Sequence, residues 1–292
     1  MSTVTSLTLS HFRSYKHLQL DLDTRPVAIF GPNGSGKTNI MEAVSLFSPG
    51  RGMRRASAEA MMRRPESLGW KITGQIQTFV KSLEIESISE YGASRQVKID
   101  GKPATQLELG KHARVLWLVP TMDRLWIEGA DGRRRFLDRI TLSFFPKHAE
   151  NCLSYEKAMR ERNRLLKEKI SDAHWYIALE KQMAKSGAAI SNARTKAIER
   201  ISQAQTSACT RFPAAKLELQ QSEGTLPKSE ADLSVFFAEN RLRDRAAGRT
   251  LVGPHKTDIY GVYMAKGVHA RDCSTGEQKA LLISIILANA RA

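Results

Sequence analysis

One run of eight residues near the amino terminus restricts the folds open to this chain more than any other feature. It matches the pattern G-x-x-x-x-G-K-[ST] at every position and consists of Gly31, Pro32, Asn33, Gly34, Ser35, Gly36, Lys37 and Thr38. An apolar run, 27–30, precedes it, and apolar residues at helical spacing follow it from Ile40 to Phe47. A strand, a glycine-rich turn and a helix in this order predict a P-loop, with a chance match as the alternative.

The residue types of this loop suit a phosphate group. Glycines allow backbone N–H groups to curve around an anion without steric clash from Cβ atoms. The helix that follows presents its free N–H groups and its positive dipole end to the same anion. Lys37 is predicted to reach the β- and γ-phosphates of ATP, and the Thr38 hydroxyl to ligate Mg²⁺. The motif alone indicates nucleotide binding and leaves open a kinase, a GTPase or a transporter-type ATPase.

A second motif, Ser274-Thr275-Gly276-Glu277-Gln278, precedes an apolar segment over 277–292 that is predicted to be helical. S-x-G-x-Q at a helix start resembles the signature loop of ABC-type ATPases, where a hydroxyl, a glycine and a helix N terminus form another anion cradle. In those proteins the cradle binds the γ-phosphate held by a second subunit. The predicted contacts to that phosphate are Ser274, Gly276 and Gln278. By itself the pentad is also compatible with an ordinary helix cap, and only its pairing with the P-loop favours a signature loop.

The charge balance favours a polyanionic partner. The 292 residues include 45 Lys plus Arg and 30 Asp plus Glu, a formal net charge of +15. Such an excess is typical of proteins that bind nucleic acid or acidic lipid, the alternative being a solvated basic surface. The basic residues cluster at Arg51, Arg54 and Arg55, at Arg63 and Arg64, at Arg133, Arg134 and Arg135, at Arg160, Arg162 and Arg164, and at Arg241, Arg243 and Arg245. Because no base-reading motif is present, we expect phosphate-backbone contacts and assign them to no particular cluster.

Cysteine content and hydropathy bear on the compartment. Cys152, Cys209 and Cys273 are odd in number and form no C-x-x-C pair, which argues against a disulfide framework and a zinc site. A reducing cytoplasm is therefore the predicted compartment. No stretch approaches the roughly 18 apolar residues of a membrane span, and no signal peptide is expected.

The patterning separates α/β ends from a helical middle. Alternation predicts strands over 4–22 and 71–99, Asp100-Gly101 predicts a hairpin turn, and the apolar run 115–119 predicts another strand. Helical spacing predicts one amphipathic helix over 154–170 and a second stretch over 172–206 broken near Gly187. We therefore predict an α/β fold, an ABC-type P-loop ATPase head with an inserted helical lobe. The head would comprise 1–145 and 246–292, and the lobe 146–245.

Further blocks, together with the two loops, resemble the RecF family of DNA-repair ATPases across essentially the whole chain. They are LSHFRSY at 9–15, GRRRFLD at 132–138, Tyr155 with RNRLLK at 162–167, and GPHKTD at 253–258. The resemblance implies an ABC-type head, lobe I, carrying a helical lobe II. It implies ATP and Mg²⁺ as cofactors and an ATP-dependent homodimer that binds single-stranded or gapped DNA. It also implies RecR and RecO as partners in loading recombinase during repair and replication restart. Arg13 becomes a candidate nucleotide contact, with a plain surface arginine as the alternative.

The sequence also departs from the family pattern. Lys256 and Thr257 stand where the family block has Arg and Asp, and 120–123 differs from an expected Pro-Glu-Asp phrase. After the signature helix an ABC-type ATPase carries an apolar strand ending in Asp-Glu, which holds Mg²⁺ and polarises the attacking water. We recognise no such strand and expect a family member shortened at its carboxyl end, binding ATP and hydrolysing it poorly or not at all.

Two alternatives stay open at this level. Another ABC-head ATPase, such as a nuclease of the overcoming-lysogenisation type, would need a carboxylate-rich metal-binding domain after the head, and no such cluster is apparent. A small-molecule kinase would leave the pentad 274–278 without a role.

Overall fold

The computed structural model describes residues 3–78, 80–208 and 210–292. By its internal contacts the chain divides into two compact units, Met1–Trp117 and Leu118–Ala292. Cys152 and Cys273 are free thiols, and the prediction for Cys209 lies outside the described residues. No helix within the described ranges combines the length and the apolarity that crossing a bilayer requires.

Within 3–78 and 80–117, six strands form an antiparallel sheet in the order β2-β1-β3-β4-β5-β6. The strands are β1 (Thr3–Phe12), β2 (Tyr15–Asp21), β3 (Gly69–Gln77), β4 (Ser82–Glu90), β5 (Gln96–Ile99) and β6 (Lys102–Ala104). The helices are α1 (Lys37–Ser45) and α2 (Gln106–His112). Alternate residues of neighbouring strands, such as Leu7 and Leu9 on β1 and Ile72 on β3, are fully buried in one core. Phe47, just after α1, completes that core, so the sheet positions the helix that follows the P-loop.

The β5–β6 hairpin is confirmed, whereas the strands predicted at 27–30 and 115–119 are wrong. Asp100 and Gly101 connect β5 to β6 with φ values of 50° and 75°, the positive pair that a tight hairpin turn requires. Residues 27–30 and 115–119 form no strand, and Phe30 is 93% exposed. A strand needs a hydrogen-bonded neighbour, and the edge strands β2 and β6 pair with neither segment. Apolar content alone therefore overpredicted strand structure.

The second unit is mostly helical and includes a small antiparallel sheet. Its helices are α3 (Ala130–Phe144), α4 (His148–Lys167), α5 (Ala173–Thr206), α6 (Glu230–Glu239), α7 (Arg241–Ala247) and α8 (Thr275–Arg291). Within 118–208 and 210–292, three strands pair in the order β7-β8-β9: β7 (Ala215–Gln221), β8 (Thr257–Tyr263) and β9 (Val268–His269). The predicted strand character near 217–219 and 259–264 is thus confirmed.

The predicted break of the second long helix near Gly187 is wrong. Helix α5 runs without interruption over 34 residues. Gly187 is buried, and a Cβ atom there would lie 3.5 Å from both Tyr155 Cε2 and Pro254 Cγ. Such distances are ordinary van der Waals contacts, so the site does not require glycine for space. The helix continues through Gly187 because the packing of α5 against its neighbours offsets the helix-propensity cost of glycine, about 1 kcal/mol.

A buried ion cluster fixes the helices of this unit to one another. Arg162 on α4 has no exposed side-chain surface and donates to Glu180 on α5 at 3.0 Å and to Asp244 on α7 at 2.7 Å. Asn163, beside it, accepts a hydrogen bond from the backbone N–H of Thr250 at 2.7 Å. Leaving one member of such a cluster unpaired costs about 3–5 kcal/mol. The block 162–167 thus supplies a structural arginine.

The predicted domain assignment stays a prediction. The boundary between the two compact units follows Trp117, whereas the sequence places a head in 1–145 and 246–292 and a lobe in 146–245. Helices α4 and α5 account for much of that predicted lobe, as the helical spacing indicated.

Candidate nucleotide site

The P-loop enters α1 through a turn that only glycine adopts without strain. Gly34 and Gly36 have φ values of 85° and 92°, in the region that disfavours residues with a Cβ atom. At Gly36 a Cβ atom would also lie 2.6 Å from the Tyr15 hydroxyl oxygen. Backbone conformation and space therefore both require glycine at this position.

The lysine of the motif lies inside the loop. Lys37 Nζ donates to the carbonyl oxygens of Gly31 at 2.7 Å and Pro32 at 2.6 Å. Residues 31–35 are exposed, and Thr38 follows on the first turn of α1. The Lys37 ammonium group thus lies within the loop 31–35, whose backbone is accessible to solvent or to a ligand.

Helix α1 has an open N terminus. It begins at Lys37 with Gly36 as its N-cap residue, and among the described residues no side chain caps it. Its first turn contains no acidic residue. The first N–H groups of a helix have no acceptor within the helix, and they carry the positive end of the helix dipole. With Lys37 beside them, these donors fit the phosphate groups of a nucleotide, and the Thr38 hydroxyl suits a magnesium ligand.

The turn between β1 and β2 braces this loop and helix. Arg13 forms a two-pronged ion pair with the fully buried Glu42 of α1, at 2.9 and 2.7 Å, and donates to the Ala60 carbonyl at 2.6 Å. The Tyr15 hydroxyl donates to the Ser35 carbonyl at 3.2 Å. Arg13, the candidate nucleotide contact, is thus bound to the P-loop helix itself.

The sequence patterns assigned no role at the P-loop to Glu42, to Tyr15 of the block 9–15, or to Arg54 of the first basic cluster. Arg54 donates to Asn39 at 2.9 Å and pairs with Glu42 at 3.2 Å, so it belongs to the same group. One signal was available, because Glu42 is a charged residue within the apolar stretch that follows the P-loop. Buried carboxylates require partners, and such a position therefore predicts nearby cations.

The signature loop forms the start of α8 in the second unit. Ser274 is the N-cap residue of α8, and its hydroxyl oxygen accepts from the Glu277 backbone N–H at 3.4 Å. The Glu277 carboxylate in turn accepts from the Ser274 backbone N–H at 2.9 Å, which completes a capping box. Ser274 and Gly276 are exposed, so two of the three predicted contacts face solvent.

The remaining residues of the pentad stabilise the loop. Gln278 is buried, and its amide donates to the carbonyl oxygens of Arg271 at 3.3 Å and Cys273 at 2.9 Å. An ion pair with Lys266, followed by hydrogen bonds from Ser274, lowers the pKa of Glu277 to about 2. The start of α8 therefore carries a carboxylate that remains charged at neutral pH. The role of Ser274, Gly276 and Gln278 toward a partner's phosphate stays a prediction.

Known proteins resemble this chain over nearly its whole length. Residues 3–292 match the family described as the RecF/RecN/SMC N terminal domain. The DNA replication and repair protein RecF of Rhizobium rhizogenes (strain K84 / ATCC BAA-868) is 44% identical, with 99% of this chain and 80% of that protein covered. RecF of Brucella suis biovar 1 (strain 1330) is 41% identical, with 99% and 78% covered.

A solved structure of the recombination mediator protein RecF-ATP in the RecFOR pathway has the same fold. The TM-score is 0.86 at 21% identity, and the match covers 99% of this chain and 80% of the other. The predicted fold class, an ABC-type P-loop ATPase head combined with helices, is thereby confirmed. With the family match over 3–292 and identities above 40% to curated relatives, the chain belongs to the RecF family.

Proposed function

We propose that the chain binds ATP with Mg²⁺ at the P-loop. The observation that carries this is the open N terminus of α1, with the Lys37 ammonium held inside a glycine loop. Backbone N–H groups of 34–38 would hold the phosphates, and Lys37 would exchange its two carbonyl acceptors for phosphate oxygens. Thr38 would ligate the metal, which supplies charge neutralisation of the phosphates.

ATP then acts as a bridge between two copies of the chain. Ser274 and Gly276 are exposed at the start of α8, and in the proposed dimer the Ser274 hydroxyl and the Gly276 backbone would contact the γ-phosphate bound by the other copy's P-loop. Gln278 contributes by holding the loop in shape through the carbonyls of Arg271 and Cys273. A closed dimer forms when two P-loops and two signature loops are joined by nucleotide.

The biological task follows from family membership. Curated relatives carry the name DNA replication and repair protein RecF, and the net charge of +15 favours a polyanion. The proposed function is ATP-dependent binding of single-stranded or gapped DNA by the dimer. In recombinational repair and replication restart it would aid recombinase loading with RecR and RecO as partners.

The test measures DNA binding by the full chain with and without ATP and Mg²⁺. Binding is detected by the fluorescence anisotropy of a labelled gapped duplex. ATP is expected to raise the affinity for DNA. Lys37→Ala should remove the stimulation because nucleotide is lost, and Ser274→Arg should remove it because a bulky cation blocks the closed dimer. Binding that is equal with and without ATP and indifferent to Ser274→Arg would refute the proposal.

A further inference from the structure

The structure separates the arginines that hold the protein together from those that are free to meet a ligand. Arg133 pairs with Asp258 at 2.7 Å, and Arg162 is buried against Glu180 and Asp244. Arg241 pairs with Glu180 at 2.5 Å and lies over the Tyr176 ring. These members of the basic clusters are engaged internally, so the cationic surface is smaller than the sequence indicates.

One face of α4 exposes its cationic side chains to solvent. Arg160, Arg164 and Lys167 are exposed and stand at positions i, i+4 and i+7, which places them on a single helix face. They span about 10 Å along the helix axis at 1.5 Å per residue. Arg160 and Lys167 form no ion pair with any residue that the structure describes, and Arg164 pairs with Glu161 at 2.9 Å near solvent.

A second element adds cations beside this face. Asn163 lies on the same side of α4 and accepts both the backbone N–H and the hydroxyl of Thr250, at 2.7 and 2.8 Å. That contact brings the exposed Arg249 next to α4. At the carboxyl end of the helix, Arg245 donates to the Lys169 carbonyl at 2.9 Å.

The cations of this surface, which we name the α4 patch, are Arg160, Arg164, Lys167, Lys169, Arg245 and Arg249. Its acidic neighbours are Glu161, which is paired with Arg164, the exposed Glu156 and Glu168 at the two ends of the face, and the exposed Asp172 beyond Lys169. The buried cluster around Arg162 fixes α4 and α7 beneath the patch, so the backbone positions that carry its cations are set by the fold.

We infer that the α4 patch binds the phosphate backbone of double-stranded DNA. Neither of the segments that supply its cations, 160–169 and 245–249, contains an aromatic residue, whereas single-strand binding surfaces place aromatic rings among the charges to stack on bases. Fixed cations on a rigid helix suit the fixed phosphate spacing of a duplex, and contacts of this kind carry no base specificity. This inference rests on the proposed function and adds to it the surface that holds the duplex beside a gap.

The test is the salt dependence of duplex binding by the full chain with ATP and Mg²⁺, measured by anisotropy of a labelled blunt duplex between 50 and 200 mM NaCl. The triple variant Arg160→Gln, Arg164→Gln, Lys167→Gln removes three cations without touching the buried cluster. Loss of three phosphate contacts should reduce the slope of log K against log salt by about 2.7. Over that salt range the wild type should lose about 40-fold more affinity than the variant.

A matched control removes three exposed lysines from α5: Lys181→Gln, Lys185→Gln, Lys196→Gln. These residues are spread over about 22 Å of helix, twice the span of the α4 trio. The control should keep a slope within about 0.5 of the wild type, and both triple variants should bind a fluorescent ATP analogue normally.

The outcomes separate this inference from the proposed function. If the wild type binds duplex and the α4 variant keeps the wild-type slope, the α4 patch is not the duplex surface. A slope reduced equally in both variants would also overturn it, since diffuse charge would then explain binding. A labelled single strand is measured in the same way, and an α4 variant that loses only single-strand affinity would overturn the duplex assignment. Reduced slope together with ATP-independent binding would support the α4 patch and count against ATP gating.

Discussion

Two helix N termini in this chain carry motifs for the same chemical group, and they are built differently. Helix α1 starts at Gly36 with no side-chain cap and with Lys37 folded into the loop before it. Helix α8 starts at Ser274 with a complete capping box, and Glu277 places a carboxylate over its first turn.

This difference assigns unequal roles to the two loops. At α1, among the residues that the structure describes, no acidic side chain competes for the backbone donors, and the side chain that must rearrange for an anion, Lys37, is itself a cation that gains from the exchange. At α8 the Glu277 carboxylate already accepts from the Ser274 N–H, and an arriving phosphate must compete with it. We therefore expect α1 to hold the nucleotide and α8 to add a weaker contact once a second copy delivers the phosphate.

The largest expected effect comes from removing the cation at α1. Lys37→Ala should weaken ATP binding by at least about 30-fold, because truncating one partner of a close charge pair costs about 2–5 kcal/mol. Titration of the full chain with a fluorescent ATP analogue measures this. Lys102→Ala, an exposed lysine after the β5–β6 turn, is the control and should bind normally. If the ATP affinity of Lys37→Ala stays within threefold of wild type, the proposal that α1 is the main nucleotide site and α8 the weaker contact is contradicted.

A methyl group at Gly36 should have the next largest effect. Gly36→Ala combines a left-handed backbone, which costs about 1–3 kcal/mol for a non-glycine residue, with a contact to the Tyr15 hydroxyl. ATP affinity should fall by about tenfold or more, and the melting temperature should drop.

Gly101→Ala is the matched control for backbone strain. Gly101 also has a positive φ, 75°, but a Cβ atom there meets no atom within 4 Å. It should therefore lower stability without changing ATP affinity. Equal ATP affinities for the two variants would show that the close approach of Tyr15 to Gly36 does not determine the conformation of the P-loop.

Removing the cap of α8 should have a smaller effect. Ser274→Ala should lower the free energy of unfolding by about 1 kcal/mol, the usual contribution of a serine N-cap, and leave ATP affinity of the monomer unchanged. Urea unfolding and ATP titration measure the two quantities. Ser229→Ala removes the N-cap of α6 and should cost about the same. Only Ser274→Ala should reduce ATP-dependent dimerisation in sedimentation experiments, and an equal reduction by Ser229→Ala would contradict the role of α8.

The smallest predicted effect concerns the charge at α8. Glu277→Gln keeps a hydrogen-bonding group at the capping position and removes the negative charge, so ATP-dependent dimerisation should strengthen by about two- to fivefold. The pKa of Glu277 is lowered to about 2 from an ordinary value of 4.5. Its charge and the stability it contributes are thus fully present above pH 4.5 and lost only as the pH falls through 2. The difference between variant and wild type should therefore stay constant from pH 8 to pH 5, and a change near neutral pH would contradict it.

Sequence patterns predicted correctly those features whose conformation depends only on neighbouring residues. The P-loop, the hairpin turn at Asp100-Gly101 and the start of α8 each follow from a few adjacent residues whose φ angles or capping atoms decide the conformation. The strands at 27–30 and 115–119 and the break at Gly187 were wrong because each depends on a distant partner. A strand needs another strand, and a glycine inside a helix is acceptable when a neighbour packs against it.

The sequence by itself determined the α/β fold and the family, because their motifs stand in a fixed order along the chain. It also located the eight residues of the P-loop motif, because they form one continuous run. Only the tertiary structure decided which charged side chains support the fold and which are free. Arg160 and Arg162 are two residues apart, yet one is exposed and the other is fully buried against Glu180 and Asp244. Burial depends on which helix packs on which face, and for Arg162 this is set by contacts with residues up to 88 positions away in the chain.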